Sequence, residues 1–367
     1  MLFSPEAHEA LADEPWNAER ARRAITSIIA DAERPFDDGW PLHPHDEEGE
    51  NDTGARFRTL HIGGAGVVDA LHRLARRGFV ELRRDYVPYL ERSVEAQPDF
   101  PDEDAERSLW MGETGIRLVL QRLAPSRANL VRLSELIAAN ERDERCDLMW
   151  GSSGTILAGR ELGLDVTASI EWLHGRRDMD GLWTQQLSGR SDRLLGPAHG
   201  FAGCVLTLGD VAAVSETLER FAVEEDGLVN WPPLVGKGLV DANRDRKIRT
   251  QWCHGAPGIV ATLARLLGEE LAIAGGELTW RAGPLRKGAN LCHGTAGNGY
   301  AFLALLERTG DERWLARARG FAMHAAAQVE HSRADYGLGR YTLWTGDLGT
   351  ALYLADCTDG RGELPLP

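Results

Sequence analysis

The chain has 367 residues, 43% of them hydrophobic and 26% charged, the make-up of an ordinary globular protein with a large core. Its 56 acidic and 41 basic residues leave a net charge of -15, which argues against the basic face that a nucleic acid or an anionic membrane requires. No apolar run approaches the ~18 residues of a membrane span, and the N-terminus lacks the basic start and apolar stretch of a signal peptide. A cytoplasmic protein is expected, in which five scattered cysteines suit metal binding or catalysis better than a disulfide framework.

In chain order, the first element predicted is a helix over residues 6–32. Residues 33–58 are acidic and rich in His, Pro and Gly, and read as a long surface loop. The chain then falls into a repeat. A Gly-x-x-Gly pair recurs at Gly63/Gly66, Gly112/Gly115, Gly151/Gly154, Gly200/Gly203, Gly255/Gly258, Gly294/Gly297 and Gly346/Gly349. Successive first glycines are 39 to 55 residues apart, the length of a helical hairpin with its connections. An apolar helical stretch follows each pair, as in Ile259-Val260-Ala261-Thr262-Leu263. These stretches are apolar nearly all round, as buried inner helices should be. Glycines at their starts permit close backbone approach and leave N–H groups free.

More polar, amphipathic segments lie between the pairs, at 81–96, 126–140, 212–223 and 312–329 among others. With the N-terminal helix they make seven outer helices against seven inner ones. The expected fold is all-α, an α/α toroid of seven inner and seven outer helices in a single domain over residues 1–367. A helical solenoid is the competing arrangement, but seven units with all-round apolar inner helices favour closure. The connection 224–251 is the longest after the fourth repeat and holds Asn230-Trp231-Pro232-Pro233 and Asn243-Arg244-Asp245-Arg246-Lys247-Ile248-Arg249. Long ordered loops often act as lids, and this one is expected over the cavity mouth.

That connection runs into the first of two near-identical segments, Trp252-Cys253-His254-Gly255-Ala256-Pro257-Gly258 and Leu291-Cys292-His293-Gly294-Thr295-Ala296-Gly297. Each offers a thiolate and an imidazole, the ligands zinc prefers. Each opens an inner helix, and they belong to neighbouring repeats, so Cys253 and Cys292 are expected to converge. A helix N-terminus and Zn²⁺ both lower a thiol's pKa below about 8.5. Two thiolate ligands make the ion a poor Lewis acid toward carbonyls, yet leave a bound substrate thiolate electron-rich, so thiol activation is favoured over hydrolysis. Spacing alone leaves open whether His254 or His293 is the third ligand. His199, in Ala198-His199-Gly200, stands one repeat earlier and is expected to face the same cavity as a proton-transfer group.

At these residues the chain resembles the lanthionine synthetase C-like (LanC-like) family, through all seven glycine pairs. The resemblance implies a central zinc held by Cys253, Cys292 and His293, with water or a substrate thiol in the fourth position. It implies a catalytic role for His199, and cavity positions for Arg249, where the guanidinium would face a developing enolate, and for Trp252. Asp147, four residues before Gly151, falls where bacterial cyclases carry an aspartate; capping a helix is the other use for a carboxylate there. His254, where bacterial cyclases commonly have Tyr, is similar to the eukaryotic-type branch. So is Arg286-Lys287-Gly288, and in that branch a lysine at the position of Lys287 is linked to glutathione.

The resemblance thus implies zinc-dependent addition of glutathione or another small thiol to dehydroalanine or dehydrobutyrine residues of a peptide or protein, with His199 or His254 as the acid. The alternatives are a lanthipeptide cyclase, in which the thiol is a cysteine of the same peptide, and a non-catalytic peptide-binding toroid.

Overall fold

The computed structural model describes residues 2–34, 38–47, 54–101, 105–209, 211–236 and 248–367. Helices run in strict alternation around the fold. The first seven are α1 (Ala18–Ala32), α2 (Gly64–Arg76), α3 (Val87–Glu95), α4 (Glu113–Leu123), α5 (Arg127–Ala139), α6 (Ser152–Leu162) and α7 (Thr167–Gly175). A hairpin of β1 (Gln185–Leu187) and β2 (Arg190–Asp192) follows, then α8 (Phe201–Leu208) and α9 (Val214–Phe221). A second hairpin, β3 (Val223–Glu225) and β4 (Leu228–Asn230), precedes α10 (Ala256–Leu263), α11 (Glu269–Ala282), α12 (Thr295–Thr309), α13 (Arg313–Tyr336) and α14 (Asp347–Asp359). Even-numbered helices are the inner set and odd-numbered ones the outer set, as the repeat predicts.

The glycine pairs explain the inner set. Each inner helix takes the first glycine of its pair as N-cap: Gly63, Gly112, Gly151, Gly200, Gly255, Gly294 and Gly346. The second glycine lies in the first turn, directly against the carbonyl of the residue six positions earlier. A Cβ on Gly258 would overlap the Trp252 carbonyl, and one on Gly297 the Leu291 carbonyl. The pair is therefore a packing requirement, repeated seven times.

The residues two places before the first glycines link the repeats laterally. Cys253 N–H donates to the Cys292 carbonyl (3.0 Å), Cys292 N–H to Trp344 (2.8 Å), Trp344 N–H to His61 (3.4 Å) and His61 N–H to Trp110 (3.0 Å). The Trp344–His61 bond joins the last repeat to the first. On the outside, α1 packs against α14 and α13, with Arg20–Glu330 (2.8 Å) and Arg333–Asp31 (3.1 Å) ion pairs across the closure. The ring is thus sealed in both layers, which is a toroid and not an open solenoid.

Two expectations are corrected. The N-terminal helix begins at Ala18 and not near residue 6, after a single 3-10 turn at Pro5–Ala7. Pro15 lacks an N–H and disfavours helix in the residue before it. The segment ahead of it is instead sewn to the α11–α12 connection: Glu9 N–H donates to Pro284 (3.0 Å), and Arg286 N–H donates to Ala7 (3.0 Å). The 224–251 connection is not all loop, because its start forms the β3–β4 hairpin with Val223 opposite Asn230. Residues 237–247 of the expected lid lie outside the described residues, as do 35–37 and 48–53 of the earlier loop. No described helix is long and apolar enough to cross a membrane.

Candidate active site

A cavity of about 910 Å³ opens beside the starts of α8 and α10. Its lining includes His199, Arg249, Gln251, His254 and Lys287. Cys253 stands in the chain between the lining residues Gln251 and His254, and it and Cys292 are each less than a tenth exposed. Their backbones are joined by the Cys253 N–H bond to the Cys292 carbonyl (3.0 Å), which sets the two cysteines side by side, close enough for their thiols to titrate together. The side-chain hydrogen bond from Cys292, opposed by burial and aided by the Gln251 amide, His199 and Arg249, brings Cys253 down to about 7. Cys292, holding the shared proton in a buried place, is pushed well above the ordinary thiol value.

His293 follows Cys292, its N–H anchored to Asn290 Oδ1 at 2.9 Å. Burial, then Arg340 and Lys287, hold its imidazole down to about 3, so it is neutral and able to act as a ligand. Among the described residues, no three His, Cys, Asp or Glu side chains are gathered tightly enough to hold an ion. The cysteine pair is assembled, and the three-donor set with His293 is not. The donor chemistry nonetheless fits zinc: two cysteines set side by side, with a neutral imidazole on the adjoining residue.

The structure brings Asp147 and His199 together. Asp147 is fully buried. Its Oδ2 meets His199 Nδ1 at 2.7 Å, and its Oδ1 accepts the N–H groups of Trp150 (2.9 Å) and Gly151 (2.8 Å). Asp147 thus ties the turn before α6 and orients the histidine at once. Burial lowers the His199 pKa, but the Asp147 hydrogen bond and charge, with Cys253, outweigh it and raise the net value. With Nδ1 engaged, Nε2 is the atom left to serve the cavity.

His254 stands 6.3 Å from His199, ring centre to ring centre. Burial, then the charges of His199 and Arg249, hold it down to about 3. Its Nδ1 is buried without a hydrogen-bond partner. His254 is thus a neutral imidazole, whereas the pKa of His199 is raised. Trp252 is set apart from the other expected site residues: it is 1% exposed and packs on Trp344, ring centres 4.4 Å apart. Its indole belongs to the core beneath the cysteines and not to the cavity lining.

Several lining residues escaped the sequence reading. His8, brought in by the N-terminal strap, and His45 line the cavity, as do Ser188 and Arg190 of the β1–β2 hairpin. His61 lies beneath it, 7% exposed, with both ring nitrogens unpartnered and its ring stacked 6.2 Å from Trp344. Burial, then His293 and His199, hold it down to about 3. Its signal was present in the repeat, since His61 stands two places before Gly63 as Cys253 and Cys292 stand before Gly255 and Gly294.

A toroid of seven helical pairs with this cysteine pair at its centre defines a class. The family model for lanthionine synthetase C-like proteins matches residues 58–364, and the chain belongs to that family. It is 32% identical over 192 residues to glutathione S-transferase LANCL1 of Danio rerio, covering 47% of this chain and 45% of that protein. It is 34% identical over 171 residues to LanC-like protein GCL1 of Arabidopsis thaliana, covering 40% of this chain and 38% of that protein. Each match thus spans less than half the relative's length. Both relatives are eukaryotic, in line with Cys-His-Gly in place of Cys-Tyr-Gly. Among solved structures, nisin cyclase is similar in fold, with a TM-score of 0.56 at 15% identity, covering 94% of this chain and all of that one.

Proposed function

We propose that this chain adds a thiol, glutathione or another small thiol, to dehydroalanine or dehydrobutyrine residues of a peptide or protein, forming a thioether. The observation that carries the reading is that Cys253, joined to Cys292 through its backbone, is flanked by Gln251 and His254, which line the same cavity as the Asp147-held His199. The name of the zebrafish relative supports a glutathione donor.

Cys253, Cys292 and His293 would hold Zn²⁺. When bound, the ion supplies the positive charge that favours ionisation of a thiol at its open position. Lys287 and the neighbouring Arg286 line one side of the cavity and suit the carboxylates of an anionic thiol. Arg249 lines the cavity too, and opposes the charge that develops on the acceptor carbonyl oxygen. In the addition, the sulfur forms a bond to the β-carbon. The double-bond electron pair moves toward the α-carbon, and the α-carbon takes a proton from His199 Nε2. His199 regains its proton from the thiol's released proton through solvent, so the addition balances. Asp147 keeps the ring oriented and stabilises its protonated form.

The fold likeness to nisin cyclase favours one second reading, in which the thiol is a cysteine of the acceptor peptide. Incubating zinc-loaded protein with a dehydroalanine peptide and glutathione, with and without a cysteine in the peptide, separates the two. A mass gain of one glutathione supports the external-thiol reading. Loss of the free thiol at unchanged mass supports cyclisation. Neither product overturns both and leaves a non-catalytic peptide-binding toroid.

A further inference from the structure

Gln251 is bonded directly to one of the two cysteine sulfurs. Its side-chain amide nitrogen lies 2.8 Å from Cys253 Sγ, and the residue is 7% exposed. Its backbone is locked around that cysteine: Gln251 N–H donates to the His254 carbonyl (3.0 Å), and His254 N–H donates to the Gln251 carbonyl (3.1 Å). Cys253 sits inside this reciprocal pair, so the amide and the sulfur are held by the same two-bond turn. An ionised or metal-bound sulfur can only accept, so the amide must present its N–H and not its oxygen. Among the described residues, no amide side chain is bonded to the Cys292 sulfur. Two cysteines that the sequence presents as copies are therefore different in their surroundings.

A hydrogen bond to a ligand sulfur draws charge off it and fixes its direction. Less charge on Cys253 leaves an ion bound there more electron-demanding. It also leaves Cys253 itself a weaker nucleophile than a thiol arriving from the cavity. We infer that Gln251 is a positioning residue of the metal centre: its N–H holds Cys253 as the more charge-depleted of the two thiolate ligands, leaving Cys253 a weaker nucleophile than an incoming thiol. The inference rests on the proposed zinc–thiol reading and adds to it a residue outside the ligand set.

The test uses Co²⁺ alone as the probe on the full chain, with Gln251→Met, which keeps the side-chain length without the donor, and Gln251→Glu, which replaces the donor by a charge. Circular dichroism and the melting temperature check that each variant folds. The inference expects cobalt affinity, measured against a competing chelator, to fall about tenfold or more in Gln251→Met, within the range for lost outer-shell partners. It expects a further fall in Gln251→Glu, where a carboxylate faces a thiolate. It also expects the sulfur-to-cobalt charge-transfer band of Gln251→Met to move to lower energy, because an undrained sulfur gives up its electron more readily. Wild-type affinity with an unmoved band overturns the inference. So does lowered affinity with an unmoved band, which is what a purely structural residue would give. If the wild-type protein takes up no cobalt, the zinc reading falls, and this inference falls with it. Cobalt uptake by the wild type together with unaltered variants removes the Gln251 role alone.

Discussion

His199 Nδ1 and Asp147 Oδ2 meet at 2.7 Å across 52 residues of chain. The pairing raises the histidine's pKa against the pull of burial. As an acid, His199 works in its protonated form, so activity is lost as pH rises through that pKa. Asp147→Asn removes the raising charge and leaves the lowering burial. The basic limb of the pH–rate profile is expected to move to lower pH by about one unit or more. His199→Ala is expected to cost roughly 10²–10⁴ in rate. An unmoved limb in Asp147→Asn would show that His199 is not the acid.

Metal content gives a second check. Cys253 and Cys292 are set side by side by the backbone bond between them. Wild-type protein is expected to carry about one zinc per chain, and Cys292→Ala almost none. Added zinc should raise the melting temperature of the metal-free wild type and not of the variant, because a ligand stabilises only the state that binds it. Elemental analysis and a thermal melt measure both.

The charge on Lys287 separates anionic from neutral donors. The side chain is exposed at the cavity edge. In Lys287→Ala, KM for glutathione is expected to rise about tenfold, equivalent to ~1.4 kcal/mol, with kcat nearly unchanged. The same variant should treat an uncharged thiol such as 2-mercaptoethanol as the wild type does. Equal losses with both thiols would assign Lys287 to the fold.

His61 predicts an acid weakness. Its folded-state pKa is held down to about 3, whereas an unfolded histidine titrates near 6.5. The unfolded chain thus binds a proton there below pH 6.5 and the folded protein does not. The stability concerned is full above that pH and is lost as the pH falls toward 3. His61→Phe keeps a ring against Trp344 and removes the two unpartnered nitrogens. Between pH 6.5 and 5 the wild type is expected to lose roughly 1.5 kcal/mol that the variant retains. Urea unfolding at the two pH values measures the difference.

Gly255 ties the site to the backbone. Its φ is +103°, and a Cβ there would overlap the Arg249 carbonyl. That carbonyl accepts from Asn230 Nδ2 at 3.3 Å, while Asn230 Oδ1 accepts the Ala256 N–H at 2.7 Å. Gly255→Ala is expected to destabilise by about 2–4 kcal/mol, from strained backbone plus the displaced network. A melting temperature within a degree of wild type would contradict it.

How far the site could be read from sequence depended on whether its signal was local. The inner helices were legible because the glycine pair answers a local need: the second glycine must clear a carbonyl six residues earlier, whichever repeat it is in. Cys253 and Cys292 were legible for the same reason, since they hold one fixed place in neighbouring copies of that unit. The same register pointed to His61, which a search for cysteines passed over.

Sequence by itself therefore determined the seven-fold helical alternation, the inner-helix starts and the cysteine pair. Only the tertiary structure decided that Asp147 meets His199, that His254 is a neutral neighbour of it, and that Trp252 is core. It also decided that His8, His45 and the β1–β2 hairpin share the cavity, and that Gln251 distinguishes one cysteine from its copy. The reason is physical. Spacing along a helix or turn is set by bonds between near residues, whereas the Asp147–His199 pairing and the shared cavity are contacts between distant segments, and even the short Gln251–Cys253 bond sits in a turn that the Cys253 N–H pins to Cys292. The repeats that carry them are held in one ring by the lateral bonds that run from Cys253 through Cys292, Trp344 and His61 to Trp110, and by the α1–α14 packing.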